Sequence, residues 1–428
     1  MQRRARQLSI LTTVAASIAA LAASLLAAPP ALATSTAEDD GQLRLNQVQV
    51  IGSHNSYHQE ATLAESVLRA IVAPDGQKAL EYSHPALGTQ FGSQQVRQIE
   101  LDVWADPNGG LYAKPLLRTL TFRGAYDPVM KQPGTKVLHI QDIDYHSNCL
   151  TFRSCLQAVK GWSDANPTHL PIAVLIEFKD SPLSLTGQQS ARLQTAAAQQ
   201  ATKRFAAGKT AVATQRSALV AQQAAVAAAL VATPLPWTAA RMDTVDADIR
   251  SVFSAADLIT PDGVRGDAPT LEGAVLSNGW PTLAESRGKV MFLMDNSGGY
   301  RDSYLAGHPS LLGRVLFTNS TPGQPDAAFI KENDPTGDNQ ARIQDEVRRG
   351  YLVRTRADVD TVQARTGDTT MRDAALASGA QWVSTDYPVD GPSQRFGTTY
   401  SVTIPGGARC TPVAPVNTPL TCSTSPAP

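Results

Sequence analysis

The sequence has almost no excess of either charge, since its 428 residues include 37 Lys and Arg against 38 Asp and Glu. A nucleic-acid-binding protein usually carries a basic excess, and a disordered chain combines high net charge with low hydrophobicity. With a net charge of -1 and 42% hydrophobic residues, this chain fits neither class. We therefore expect a folded protein with a large core and no nucleic-acid partner.

Long apolar runs are also scarce, and the one that is present lies at residues 8–27. It follows Arg3, Arg4 and Arg6 and precedes a small-x-small sequence that ends at Ala33. This arrangement is typical of a secretory signal peptide, with a membrane-anchoring helix as the alternative. We predict cleavage after residue 33 and secretion of a mature chain with 34 basic and 38 acidic residues, a net charge of -4.

Cysteine is limited to four residues, at positions 149, 155, 410 and 422. An even number is typical of a protein exported to an oxidising compartment. Of the three possible pairings, the short separations favour Cys149–Cys155 and Cys410–Cys422. Metal binding by these residues is the weaker alternative, because the sequence has no C-x2-C pair or companion histidine spacing.

The sequence lacks a G-x-G-x-x-G motif after its first predicted strand, which disfavours a dinucleotide-binding fold. Apolar, β-branched runs of strand length instead alternate with segments of mostly helical patterning. Alternation predicts parallel strands joined by crossovers, and eight such units favour an α/β fold of the TIM-like (β/α)8 barrel type. The predicted strands are residues 48–52, 98–103, 137–141, 172–178, 258–260, 290–295, 352–356 and 382–386.

Three segments depart from this regular alternation. Residues 104–136 carry turn signals and little helical period, which predicts a missing crossover helix or a hairpin in its place. The Ala/Gln-rich residues 185–232 predict a helical hairpin broken near Gly208, packed beside the barrel or, as the alternative, lying on a membrane surface. Residues 391–428, rich in Pro, Thr and Ser, predict a surface tail after a single catalytic barrel at residues 34–390.

Acidic residues are concentrated where a parallel barrel carries its active site, at the carboxyl ends of the strands. Glu100 and Asp102 share one face of the second predicted strand, and Glu177 lies on the fourth. Three carboxylates at one mouth repel each other, and a bound cation removes that conflict. With the amide of Asn55, which follows the first strand, they form an all-oxygen ligand set that suits Ca²⁺ first and Mg²⁺ second.

Two histidines accompany this acidic group. His54 follows the first predicted strand, and His139 lies in the third. Beside a cation, one histidine could take a proton from an attacking hydroxyl while the other protonates a leaving alkoxide. This combination is suited to cleavage of a phosphodiester.

At these positions the sequence resembles a known family. The motifs SHNSY at residues 53–57, ELDVW at 100–104 and IE at 176–177 are similar to catalytic motifs of the Ca²⁺-dependent phosphoinositide-specific phospholipases C. The secreted actinobacterial type is the most similar, over most of the mature chain apart from the insertion and tail. The resemblance implies a phospholipid substrate at a membrane surface and no protein partner, and we expect a monomer.

The resemblance also implies a role for each matching residue. His54 would be the general base on an inositol hydroxyl, and His139 the general acid for the diacylglycerol leaving group. The implied Ca²⁺ ligands are Asn55, Glu100, Asp102 and Glu177.

Other polar residues near the predicted strand ends are candidates for substrate binding. For Lys179 a structural ion pair is the alternative, and for the arginines the alternative is pairing with Asp358 or Asp360. We expect His58, His146 and His169 to make local or surface hydrogen bonds, with His146 as the second candidate for the acid. The substrate-binding candidates are Lys179, Arg354, Arg356, Asp386 and Tyr387.

Three other functions compete with this interpretation. In glycerophosphodiester phosphodiesterases an arginine typically follows the first histidine, where this chain has Asn55. A TIM-barrel glycoside hydrolase often has a glutamate after strand seven, where this chain has Arg354 and Arg356. A noncatalytic binding barrel would have little reason to keep both histidines together with the acidic group.

Overall fold

The computed structural model describes residues 40–416, 418 and 422, apart from residues 75, 206–230 and 278. The predicted signal peptide therefore lies outside the described residues. Within the described part of the chain, no helix combines the length and hydrophobicity needed to cross a membrane.

The described residues form one sheet in which eight parallel strands curl into a TIM-like barrel, which confirms the predicted fold class. Their order is β7-β6-β4-β2-β1-β10-β9-β8, and a parallel bridge between Asn319 and Phe329 joins the two ends. The strands are β1 (Val48–Ser53), β2 (Gln98–Trp104), β3 (Lys136–Val137), β4 (Ile172–Lys179), β5 (Leu258–Ile259), β6 (Val290–Met294), β7 (Leu316–Thr318), β8 (Phe329–Lys331), β9 (Leu352–Arg356), β10 (Trp382–Thr385) and β11 (Ala408–Cys410).

One of the eight predicted barrel strands, the third, was wrong. In the third, only Val137 is in a strand, and β3 runs antiparallel to β2, with Val137 opposite Val103. This pair confirms the predicted hairpin after β2. The fifth is present as the short parallel strand β5, which pairs with the start of β6. The strands β7 and β8, which were not predicted, complete the barrel. Each has only three residues, too few to show a period in the sequence.

Helices surround the sheet. The helices that the structure describes are α1 (Leu63–Val72), α2 (Leu87–Gly92), α3 (Leu116–Leu120), α4 (Phe152–Ala165), α5 (Gly187–Phe205), α6 (Ala239–Val252), α7 (Pro261–Arg265), α8 (Leu271–Ser277), α9 (Leu283–Ser286), α10 (Gly299–Leu305), α11 (Asp338–Arg349), α12 (Val362–Thr366) and α13 (Thr370–Ala377). The crossover helix α4 begins where the Thr151 side chain accepts a hydrogen bond from the Ser154 N–H. Its apolar residues Phe152, Leu156 and Val159 share one face and are buried in the main core.

A second, smaller hydrophobic cluster lies beneath α1. Leu68 and Val72 of α1 pack there with Leu193 and Ala197 of α5. The helix α5 begins the Ala/Gln-rich insertion. The expected break near Gly208 and most of the second arm lie outside the described residues.

Both predicted disulfides are present. Cys149 is bonded to Cys155, and Cys410 to Cys422. The first bond joins the end of the loop after β3 to α4. In the tail, β11 pairs antiparallel with the first half of β1, so part of the tail extends the sheet.

Candidate active site

The strand register brings the acidic residues together at the carboxyl ends of the strands. Asp102 of β2 lies opposite Glu177 of β4. One oxygen from each of Glu100, Asp102 and Glu177 lies within 4.8 Å of the others. Burial raises the pKa of Glu100 to about 7, against the opposing charge of Arg354, and raises the pKa of Asp102 above its usual range. The groups around the mouth therefore do not fully compensate the buried negative charge of these carboxylates.

Several oxygens at this mouth are left without a hydrogen bond. Among the described residues, Asp102 Oδ1 and Asn55 Oδ1 are buried and find no hydrogen-bond partner, and Asp102 Oδ2 has only an ion-pair contact with Lys179 at 3.5 Å. Asn55 has a left-handed backbone with φ 45°, a conformation that asparagine tolerates, and its neighbour Ser56 bonds the backbone of Glu100. Buried oxygens left in this way need a cation or another donor, and a donor set of carboxylates and an amide fits Ca²⁺.

Two basic side chains partly compensate the carboxylates. Lys179 Nζ lies 3.0 Å from Glu177 Oε1 and 3.5 Å from Asp102 Oδ2. Arg354, which is fully buried, donates to Glu100 and to the amide oxygen of Asn333. Both residues therefore contact candidate metal ligands.

The first histidine is paired with a carboxylate. His54 Nδ1 lies 2.8 Å from Asp386 Oδ1, and the His54 side chain is 18% exposed. Burial, and then the positive charges of Arg356 and Arg354, lower the pKa of His54 well below its usual value. A lowered pKa leaves this imidazole neutral and able to accept a proton.

The second histidine has a similar arrangement on a different element. His139 Nδ1 lies 2.7 Å from Asp144 Oδ2, and the side chain is 19% exposed. A backbone bridge between Ile140 and Asp144 closes a tight loop after β3 and brings the two groups together. The other oxygen of Asp144 accepts a hydrogen bond from the buried Arg69 of α1.

Aromatic rings connect the two histidines. The Tyr82 ring lies 6.5 Å from the His54 ring and stacks on the His58 ring at 4.4 Å, measured between centroids. The His58 ring in turn lies 6.1 Å from that of His139. The two candidate catalytic histidines therefore lie at the two ends of one group of neighbouring rings.

The remaining candidates divide between the mouth and the core. Arg356 Nη2 lies 3.7 Å from Asp386 Oδ2, and Asp386 itself contacts His54. Tyr387 instead is buried in a hydrophobic cluster with Ile51 and Tyr400.

The other histidines make local hydrogen bonds. His146 contacts the buried Glu65 of α1 at 2.9 Å, and His169 contacts Ser163 at 2.7 Å. His58 is completely buried.

Four residues of this region were missed by the sequence analysis: Arg69, Tyr82, Asp144 and His84, whose Nε2 lies 3.0 Å from the backbone oxygen of His54. They lie on a helix and in loops, whereas the prediction considered residues at the ends of strands. The only local signal was the carboxylate five residues after His139.

Comparison with known proteins decides the family. A family model described as "Phosphoinositide phospholipase C, Ca2+-dependent" matches residues 43–208 and 214–412. The chain belongs to this family. Its phosphodiester chemistry supports the phospholipase C interpretation over the glycerophosphodiesterase, glycoside hydrolase and noncatalytic alternatives. The Ca²⁺ dependence of the family agrees with the acidic group at the mouth.

Solved structures similar to this phospholipase C have low sequence identity. A calcium-dependent phosphoinositol-specific phospholipase C from Pseudomonas sp. is 14% identical, with a TM-score of 0.46, and the match covers 87% of this chain and 96% of that one. A Ca²⁺-dependent phosphatidylinositol-specific phospholipase C from Streptomyces antibioticus is 17% identical, with a TM-score of 0.45, covering 81% and 95%. A search of curated protein sequences gives no match.

Proposed function

We propose that this phospholipase C cleaves phosphatidylinositol-type lipids to diacylglycerol and an inositol phosphate, with His54 as general base and His139 as general acid. The observation that carries the assignment is the pair of histidine–carboxylate contacts at one mouth. In each pair Nδ1 contacts an aspartate, at 2.8 Å for His54 and 2.7 Å for His139. The Nε2 of each ring then remains for proton transfer.

The proposed cleavage step uses both histidines. His54 takes the proton of an inositol hydroxyl as that oxygen attacks phosphorus. The bond between phosphorus and the glycerol oxygen breaks, and His139 gives its proton to that oxygen. The products are diacylglycerol and a cyclic inositol phosphate, which water could open with the two roles reversed.

Asn55, Glu100, Asp102 and Glu177 would hold the Ca²⁺ ion. Bound there, Ca²⁺ would supply positive charge to the phosphoryl oxygens as negative charge develops on them. Support comes from the unbonded oxygens of Asn55 and Asp102 and from the closeness of the three carboxylates.

The basic residues would have different tasks. Arg356 Nε is buried and finds no hydrogen-bond partner among the described residues, which favours a phosphate or inositol oxygen as its partner. Arg354 would orient Glu100, and Lys179 would neutralise the carboxylates or contact phosphate. We assign Asp386 to the positioning of His54 rather than to the inositol, and we assign no substrate contact to Tyr387.

We further propose that residues 1–33 direct secretion and are removed. The two disulfides support an oxidising destination. N-terminal sequencing of the exported protein should begin at Thr34. An intact N-terminus in the membrane fraction would favour the anchoring alternative.

The function can be tested with residues 34–428 and phosphatidylinositol vesicles. We expect release of soluble inositol phosphate that requires Ca²⁺ and stops in excess EGTA. Glu177→Gln should abolish release and weaken Ca²⁺ binding measured by calorimetry, whereas Asp345→Asn, at an exposed carboxylate on α11, should do neither. Turnover of glycerophosphodiesters without turnover of phosphatidylinositol would overturn the proposal.

A further inference from the structure

The helix α1 has an unusual distribution of polar and apolar residues. Its exposed positions are Leu63, Ala64 and Val67, all of them apolar, whereas its two charged residues, Glu65 and Arg69, are completely buried. The exposed fraction is 82% for Leu63 and 52% for Val67. A surface helix of a globular protein normally turns its apolar residues toward the core and its charged residues toward water. The outward side of α1 is apolar instead.

The two buried charges attach α1 to the loop after β3. Glu65 accepts a hydrogen bond from the hydroxyl of Tyr145, and Arg69 pairs with Asp144. Asp144 in turn contacts His139 at 2.7 Å. The helix is therefore held against the wall of the site by charged side chains, and this attachment leaves Leu63 and Val67 facing outward.

The helix α11 shows the ordinary arrangement in the same chain. It exposes Arg342, Asp345 and Arg348 and buries Ile343 and Val347. Its charged residues face water and its apolar residues face the core, as expected for a helix whose outer side stays in water. The reversed pattern of α1 indicates that its outer side meets an apolar partner.

A second pair of exposed apolar residues lies after β9. Val359 and Val362 are 37% and 48% exposed, and they follow Arg356 of the mouth closely in the chain. Six large hydrophobic residues are exposed in the described part of the chain, and four of them belong to these two pairs. Single exposed apolar residues are common, but their concentration at one place indicates an interaction surface.

A contact joins the two pairs along one side of the mouth. The hydroxyl of Thr361 donates a hydrogen bond to the backbone oxygen of Lys78 at 2.9 Å. Lys78 belongs to the segment that leads from α1 to Tyr82, whose ring lies 6.5 Å from that of His54. Both pairs therefore border the site. We call the following four residues the apolar rim: Leu63, Val67, Val359 and Val362.

Charged side chains around the apolar rim compensate each other. Arg365 pairs with Glu81, and Arg395 pairs with Glu60. The mature chain as a whole has a net charge of -4, which gives no general attraction to an anionic membrane. Attachment through the apolar rim would therefore depend on the burial of apolar side chains rather than on charge.

We propose that the apolar rim docks the enzyme on the lipid bilayer that contains its substrate, with Leu63 and Val67 inserted beneath the headgroups. This inference rests on the proposed function, because a substrate with a diacylglycerol part lies in a bilayer and only its headgroup can enter the mouth. A rim beside the mouth holds that opening at the level of the headgroups. The rim takes no part in proton transfer, so docking and chemistry are separable.

Docking can be measured without turnover by sedimentation of residues 34–428 with vesicles of phosphatidylcholine alone. Leu63→Gln and Val67→Gln keep a good helix former at an exposed position, and each should reduce vesicle binding about tenfold. The matched control is Leu312→Gln. Leu312 is also 52% exposed but lies before β7, at the end of the barrel away from the mouth, so binding should be unchanged. A rise in NaCl from about 0.1 M to about 0.5 M should change binding by less than about twofold.

The same variants separate docking from catalysis. At vesicle concentrations below saturation, the double variant Leu63→Gln/Val67→Gln should cleave phosphatidylinositol at least about tenfold more slowly. It should cleave a water-soluble phosphodiester of inositol at the rate of the unsubstituted protein. Val359→Gln and Val362→Gln should each slow vesicle cleavage about threefold, because less of each side chain is available to bury.

Four results would overturn the inference. They are a lack of binding to phosphatidylcholine by the unsubstituted protein, equal binding by the double variant, and loss of binding in about 0.5 M salt. The fourth is a dimer in sedimentation equilibrium that the double variant no longer forms, which would identify a second copy of the chain as the partner of the rim. The proposed function would fail differently, through turnover of glycerophosphodiesters without turnover of phosphatidylinositol, so the two failures are distinguishable.

Discussion

The two aspartates that contact the proposed catalytic histidines have opposite electrostatic environments. Asp386 is buried beside Asp358, and its pKa is raised, mainly by burial. Asp144 is equally buried, yet its pKa is lowered, because Arg69, His58 and His139 all contact it. The same His–Asp geometry therefore carries a weakly compensated carboxylate at one histidine and a strongly compensated one at the other.

This difference suits the two proposed roles. The base, His54, must begin neutral, and burial with the nearby arginines lowers its pKa accordingly. The proposed acid, His139, has its Nδ1 2.7 Å from Asp144, whose pKa is lowered. The two environments thus differ in the direction that the proposed roles require.

The largest expected effect comes from removing either histidine. His54→Ala and His139→Ala should each reduce kcat for phosphatidylinositol by ~10³-fold, within the range for general acid–base catalysis. The double variant should be little worse than either single one, because the two residues act in one step. Initial rates of inositol phosphate release measure this. If the loss of kcat in the double variant equals the product of the two single losses, the two histidines act independently.

The next prediction compares the aspartates through protein stability. Asp144→Asn should lower the free energy of unfolding by about 3 kcal/mol or more, because it leaves the buried Arg69 without its counter-charge. Asp386→Asn should cost only about 1 kcal/mol, since the pKa of Asp386 is already raised. Urea denaturation of both variants checks the order. Equal losses would remove the contrast between the two sites.

The pH dependence of stability should differ in sign. The lowered pKa of Asp144 gives stability that is present above its unfolded pKa of about 3.9 and is lost as the pH falls below that value. The raised pKa of Asp386 has the opposite effect, a loss of stability as the pH rises above that value. In calorimetric scans from about pH 2 to pH 8, Asp144→Asn should reduce the loss of stability below about pH 3.9, and Asp386→Asn should reduce the loss above that value. The reverse pattern would contradict both assignments.

The smallest effect should come from Arg356→Lys. It keeps the positive charge near Asp386 but loses the planar group with an unpaired Nε. We expect KM to rise roughly fivefold with little change in kcat, within the range for one hydrogen bond to a charged group. Steady-state kinetics on phosphatidylinositol vesicles measure it. A change in kcat alone would instead indicate that Arg356 acts on the reaction through His54.

The sequence predicted the barrel and the acidic group because both follow local rules. Glu100 and Asp102 share a face through strand alternation, and parallel pairing then places them beside Glu177. Asp386 was predicted to be at the mouth, but as an inositol ligand. Its contact with His54 joins residues 332 positions apart, which no local pattern records.

The region around His139 was harder to predict for a physical reason. Residues 137–141 have the length and apolar pattern of a barrel strand. The direction of a strand, however, depends on the chain that precedes it. The supporting residues Arg69 and Tyr82 come from a helix and a loop, selected by packing rather than by period. The short strands β7 and β8 were missed because three residues contain too little pattern.

The antiparallel direction of β3 separates the reaction into two structural halves. The proposed base and the three carboxylates lie on barrel strands or on residues directly after them. The proposed general acid, His139, lies on the loop after β3, which the Cys149–Cys155 disulfide and contacts with α1 hold in place. A substitution that displaces this loop should not slow cleavage of a substrate whose leaving group departs without a proton. An inositol phosphate ester of a nitrophenol would therefore report on the barrel alone, and the natural lipid on barrel and loop together.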